Sequence, residues 1–212
     1  MTDLMIITLL GNPGKRYERT RHNVGWWVGD LLVGQAGGAF QRRHEEFASA
    51  ELGLEGKRVL MVKPLTYMNN SGEVVADLQH QLEFRPEDQF LVVADDIALP
   101  LGQLRIRNSG SSGGHNGLQS IIDAIGSQQF ARVRCGVGPL PTGIDPAEFV
   151  LDPFPLAELS LAEEMAVRAA DAVRTILREG LPAAANAFNR KPPAPDAPPG
   201  DNEGADRPRE GQ

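Results

Sequence analysis

Cysteine is almost absent: a single residue, Cys135, in 212. No internal disulfide can form, which excludes a small stapled fold and suits a reducing compartment. The thiol sits in the alternating run Val133-Arg134-Cys135-Gly136-Val137, where a buried structural role is expected. Long hydrophobic runs are missing too, so no segment is expected to cross a bilayer. Nor is there a basic start followed by an apolar stretch and a cleavage site, so no signal peptide and a cytoplasmic location are expected. Positive charge is not in surplus: 21 Lys and Arg against 28 Asp and Glu leave −7. That balance argues against a general nucleic-acid coat, although a local patch can still hold phosphate. Metal-ligand spacing is missing as well. The four histidines, His22, His44, His80 and His115, make no HExxH pair, and CxxC is absent. Asp95-Asp96 would point to opposite faces of a strand. No metal and no cofactor are expected.

What is present reads as one ordinary globular domain. Hydrophobic content of 41% and charged content of 23% are typical, and the length suffices for a real core. Leu4 to Leu10 is a short apolar run stopped by Gly11-Asn12-Pro13-Gly14, a buried strand and its turn. From Asn23, an apparent N-cap, Val24, Trp27, Val28, Leu31 and Leu32 follow helical spacing. Residues 47–54 and 57–63 read as a hairpin joined at Glu55-Gly56. Residues 71–84 read as a helix and 90–94 as a strand ending at Asp95. A strand over 104–107 precedes a Gly/Ser loop over 108–114. A helix striped by Leu118, Ile121, Ile122 and Ile125 follows and ends near Gly126. Residues 133–138 are expected to close the sheet. Residues 139–155 look like a loop, whose place before the long helix suits a lid over a cleft. That helix spans 156–179, with a short one over 183–188. Beyond Arg190 apolar residues almost vanish, so a disordered Pro/Gly/acidic tail over 191–212 is expected.

Strands alternating with helices, plus one hairpin, imply an α/β fold: a single domain, residues 1–190, with a twisted mixed β-sheet surrounded by helices. Sites in such sheets gather at strand ends. Gly11-Asn12, Asn69, Asp95 and His115-Asn116 all fall after candidate strands or in their loops, and could meet in one cleft. One histidine, one carboxylate and several carboxamides are what water-mediated cleavage of an acyl bond requires. His22 stands beside Asn23 and His115 beside Asn116, each before a helix. His44 and His80 lie in polar stretches and are read as incidental. Alternation puts Arg105 and Arg107 on one strand face and Arg132 and Arg134 on another, a candidate phosphate patch or simply solvated faces.

Two other motifs fail on spacing. Gly11-Asn12-Pro13-Gly14-Lys15 is too short for a P-loop, and Arg16 follows the lysine where Ser or Thr belongs. Gly110-Ser111-Ser112-Gly113-Gly114 fits Gly-x-Ser-x-Gly, but the only later histidine, His115, leaves no room for an intervening acid.

Read together, five segments in order resemble bacterial peptidyl-tRNA hydrolase over residues 4–190. They are Gly11-Asn12-Pro13-Gly14 with Tyr17; Thr20-Arg21-His22-Asn23; Lys63-Pro64 with Thr66-Tyr67-Met68-Asn69; Asp95-Asp96 with Leu99-Pro100 and Gly102; and Gly113-Gly114-His115-Asn116-Gly117-Leu118. The resemblance implies hydrolysis of the ester between a peptide and the 3′-terminal ribose of tRNA, releasing tRNA from peptides that leave the ribosome early. It implies His22 as general base, Asp95 as its orienting partner, Asn12 and Asn69 as positioning groups for peptide and water, and Asn116 at the oxyanion. Tyr17, Tyr67 and His115 would belong to the substrate-binding group, with Arg105, Arg107 and Arg134 on tRNA phosphates. The acceptor end of peptidyl-tRNA would be the partner, the protein a monomer, and no membrane involved. Where the family often has Asp-Leu-Pro, this chain has Ala98-Leu99-Pro100. A homologue that binds RNA without cleaving it is the alternative, opposed by the intact set Asn12, His22, Asn69, Asp95 and Asn116.

Overall fold

The computed structural model describes residues 4–42 and 44–190. The tail expected over 191–212 lies outside them. A mixed six-stranded sheet forms the centre, in the order β2-β3-β1-β4-β6-β5. Its strands are β1 (Leu4–Leu9), β2 (Phe47–Leu54), β3 (Lys57–Pro64), β4 (Phe90–Pro100), β5 (Leu104–Arg107) and β6 (Ala131–Gly138). The inner four run parallel, while β2 and β5 flank them antiparallel. The helices are α1 (Val24–Gln35), α2 (Ser71–Leu82), α3 (Pro86–Gln89), α4 (Asn116–Ile125), α5 (Pro146–Leu151), α6 (Leu156–Glu179) and α7 (Leu181–Phe188).

The central strands read as near-continuous apolar runs because both faces are covered. Alternation sorts them. Ile7, Leu9, Leu91, Val93, Val133 and Cys135 pack under α1, α6 and α7. Ile6, Leu10, Val62, Val92 and Ala94 pack under Val74, Val75 and Leu78 of α2 and Leu118, Ile121 and Ile122 of α4. The start of α1 lies against the sheet: a Cβ at Gly25 would stand 2.5 Å from the Leu10 carbonyl oxygen and 2.7 Å from that of Val93. Only glycine permits that approach, and it brings the turn before α1 to the ends of β1 and β4.

Several expectations need correction. The strand read as 90–94 runs on to Pro100, with its register against β6 shifting between Asp96 and Pro100. Asp95 is therefore within a strand rather than past its end. Strand β6 does not close the sheet; it lies between β4 and the edge strand β5. The stretch 139–155 is no simple loop, because α5 occupies Pro146–Leu151, capped by the Asp145 carboxylate on the Ala147 and Glu148 amides. Asp-Pro at N-cap and N1 is a helix-start signal that the surrounding prolines obscured. Smaller shifts end β1 at Leu9 and α2 at Leu82, and start α7 at Leu181.

Candidate active site

Two imidazoles converge on one carboxylate oxygen. His22 Nδ1 lies 2.8 Å and His115 Nε2 2.9 Å from Asp95 Oδ1, with the rings 4.9 Å apart. All three side chains are buried. The tautomers follow from the neighbours. His115 is the N-cap of α4, and its Nδ1 accepts from the Gly117 and Leu118 amides at 3.1 and 3.2 Å. An acceptor nitrogen carries no proton, so Nε2 carries it and donates to Asp95. A carboxylate only accepts, so His22 Nδ1 donates as well, and its Nε2 keeps a free lone pair. Burial alone would push the Asp95 carboxyl up. The electrostatic attraction of the two imidazoles beside it and the hydrogen bonds they donate together outweigh it and hold the group far below the usual carboxylate range.

The turn bearing His22 is fixed from both sides. Asn23 was read as an N-cap, but its side chain makes no capping bond. Instead Oδ1 accepts from the Asn12 amide and Nδ2 donates to the Asn12 carbonyl. On the other side, the Arg21 amide donates to the Asp152 carbonyl and the Phe154 amide to Arg19. The Arg21 guanidinium donates to the Asp152 and Pro153 carbonyls, pairs with Glu158, and lies over the Phe149 and Phe154 rings. The residue before the histidine thus ties it to the segment between α5 and α6.

The carboxamides differ in freedom. Asn12 is buried and its Oδ1 accepts from the Met68 amide at 2.9 Å. That bond links the end of β1 to the turn Met68–Asn70, where Asn69 is exposed. Asn116 is exposed at the first position of α4. Tyr67 is 59% exposed and Tyr17 half-buried, with Arg16 over its ring.

A cleft of about 240 Å³ opens over the triad. His22, Asp95, His115, Asn116 and Arg134 line it with Asp145, Pro146, Ala147 and Val150 of the α5 segment. Asn12, Asn69, Tyr17 and Tyr67 are not among the residues lining it. The expectation that residues 139–155 lie over the cleft agrees with this wall, but that it is a helix was missed; its Asp-Pro start was the available signal. His22, Asp95 and His115 come close enough to surround an ion, yet their chemistry suits one poorly. While His115 Nδ1 accepts two amides, its Nε2 has no lone pair to give.

The arginines divide by burial. Arg105 pairs with Arg134 and Arg107 with Arg132 across β5 and β6, so all four share one face. Arg105 and Arg107 are exposed, and among the described residues neither has an ion-pair or hydrogen-bond partner. Arg132 is 1% exposed, donates to the carbonyls of Gly110, Ser111, Gln128 and Phe130, and lies over the Phe130 ring. Its place in a phosphate patch is thereby corrected; it fastens the loop. Arg134 donates to the Ser112 carbonyl at 2.7 Å, and its Nε lies 3.1 Å from Asp96 Oδ2 without a hydrogen bond's alignment. At Gly113, with φ +61°, a Cβ would stand 2.9 Å from this guanidinium. The Ser112 hydroxyl donates to Gln119 rather than to a histidine, which leaves a serine nucleophile without its base. His44 and His80 are exposed, the former stacked on Phe47.

The sequence model of the peptidyl-tRNA hydrolase family matches residues 6–196. The chain belongs to this family. It is 42% identical to peptidyl-tRNA hydrolase of Chloroflexus aggregans over 186 residues, 88% of this chain and 99% of that one. It is 43% identical to the Nocardia farcinica peptidyl-tRNA hydrolase over 182 residues, 85% and 94% of the two chains. The crystal structure of peptidyl-tRNA hydrolase from Acinetobacter baumannii superposes with a TM-score of 0.80 at 31% identity, covering 89% of this chain and 96% of that one. A peptidyl-tRNA hydrolase in complex with N-propanol gives 0.82 at 32%, covering 92% and 98%. In this peptidyl-tRNA hydrolase family member no described helix is long and apolar enough to cross a membrane.

Proposed function

We propose that this chain hydrolyses the ester joining a peptide to the 3′-terminal ribose of tRNA, with His22 activating water. One observation carries the mechanism: His22 Nδ1 donates to a buried carboxylate oxygen 2.8 Å away, which leaves Nε2 as a lone pair. Nε2 takes a proton from water as the oxygen attacks the ester carbonyl. Asp95 keeps the ring in that tautomer and stabilises the imidazolium that forms. The tetrahedral intermediate collapses with the ribose oxygen leaving, and the proton returns from Nε2 to that oxygen. An ester has a better leaving group than an amide, so no covalent enzyme intermediate is needed.

Asn116, exposed beside the cleft, suits donation to the developing oxyanion. Asn12 has its carbonyl oxygen engaged by Met68 and keeps its amide nitrogen to donate. Asn69 stands on the same turn, to position peptide or water. Tyr17 and Tyr67 would add contacts at the margin, and Arg105 and Arg107 would hold tRNA phosphates, with Arg134 nearer the cleft. Discrimination among esters would then rest on a salt-sensitive contact away from the chemistry. The reading carries a monomer, a cytoplasmic location and the release of tRNA from peptides lost by the ribosome. Release of free tRNA from peptidyl-tRNA by the full chain, with chelator present, tests it. Intact tRNA binding with no release would turn the reading into that of an RNA-binding homologue.

A further inference from the structure

His115 was expected to contact substrate, but both of its ring nitrogens are taken within the protein. Nδ1 accepts the Gly117 and Leu118 amides, and Nε2 donates to Asp95 Oδ1 at 2.9 Å. Its side chain is 5% exposed, so it has no polar atom to offer a peptide. We infer that His115 is a positioning residue that, through Asp95, sets the orientation and proton affinity of His22. This rests on the reading of His22 as the base.

The helix start decides how His115 acts. Two amides at the first turn of α4 hold its Nδ1 as an acceptor, so the Nε2 proton cannot be lost without breaking the cap. Nor can Nδ1 gain a proton, since it would then face two N–H donors. His115 is therefore a fixed N–H donor to Asp95. Asp95 Oδ1 shares its lone pairs between this donor and His22. The share taken by His115 weakens the pull on the His22 proton, so the His22 imidazolium is stabilised less than it would be by a carboxylate serving it alone. The same bond fixes the carboxylate rotamer and hence the direction of His22 Nε2. Other ionisable groups face this cluster: Asp96 beside it on β4, Cys135 and Arg134 from β6, and Asp145 from the start of α5. All are unchanged in the test below.

Two substitutions separate the cap from the donor. In His115→Asn the side-chain oxygen falls near the position of Nδ1 and can cap α4, while nothing replaces Nε2–H. In His115→Gln the amide nitrogen falls near Nε2 and can reach Asp95, while the cap is lost. The pH profile of kcat/KM, kcat and KM separately, and Tm are measured for both, with His22→Ala as reference. For His115→Asn, kcat is expected to fall on the order of tenfold with KM within about twofold. The acid limb of its profile is expected to move up by about half a pH unit or more, with Tm nearly unchanged. For His115→Gln, the limb stays and Tm falls. An Asn variant with wild-type kcat and an unmoved limb overturns the inference, whether or not the Gln variant folds. Full activity in His22→Ala would overturn the base reading itself, and this inference with it.

Discussion

Asn23 holds Asn12 by both of its main-chain polar atoms, accepting from the amide at 2.9 Å and donating to the carbonyl at 3.0 Å. Asn12 then takes the Met68 amide on its own side chain at 2.9 Å. Three chain segments meet in this relay: the turn before α1, the end of β1, and the turn before α2. Neither asparagine is exposed, so water cannot readily replace a lost bond. Asn23→Asp sets a carboxylate oxygen against the Asn12 carbonyl. It is expected to cost about 2 to 3 kcal/mol of stability, read as a lower urea midpoint with unchanged slope. A variant as stable as the wild type would show that the relay contributes little.

The Asp95 carboxyl is held below its ordinary range, and the sign of its pH effect follows. A group whose folded pKa is depressed lends stability that is complete above its unfolded pKa of about 4 and is lost as the pH falls further. Stability of the wild type should therefore drop below about pH 4, and Asp95→Asn should flatten part of that drop. Urea melts at acid and neutral pH measure both. Parallel pH curves for the two proteins would count against the depressed carboxyl.

Arginines on the same face are expected to fail in different ways. Arg132 spends its guanidinium on loop carbonyls, so Arg132→Met should leave those acceptors unpaired and lower Tm by several degrees. Burial and the nearby Arg134 pull its pKa down to about 10, still charged at neutral pH. The exposed Arg105 and Arg107 should behave oppositely on conversion to Ala: Tm unchanged, KM for peptidyl-tRNA raised, and a shallower dependence of KM on salt. Equal salt slopes in wild type and variant would place the phosphate contact elsewhere.

Much of this was legible along the chain, for identifiable reasons. The short apolar run of β1 stopped by Gly11 and the helical stripe of α4 come from local pattern alone, and both were bounded to within a residue or two of the structure. Asp95 and the two histidines could be nominated because polar groups at strand ends and helix starts are unusual company for an apolar core. Their convergence on one oxygen could not be read, since it depends on a register 73 residues apart for His22 and 20 for His115. Alternation put Arg132 and Arg134 on one face correctly, but it cannot tell an arginine roofed by its own loop from one in water. The α5 turn was lost because prolines on both sides read as breakers, although Pro146 at N1 favours a helix.

Cys135 should be inert in the folded protein. Burial, with the Asp95 and Asp96 carboxylates adding to it, pushes its thiol well above the ordinary range, and the thiolate is the reactive form. A thiol reagent at neutral pH should label it only after denaturant is added. Rapid labelling of the native protein would mean that β6 opens far more readily than its packing implies.

The most direct test of the account compares cleavage of peptidyl-tRNA by the wild type and by His22→Ala under single-turnover conditions, with tRNA binding measured in parallel. General-base catalysis predicts a rate loss of roughly 10²- to 10⁴-fold with binding and Tm retained. A variant that cleaves within a few fold of the wild type would contradict the assignment of the base and, with it, the role given to Asp95.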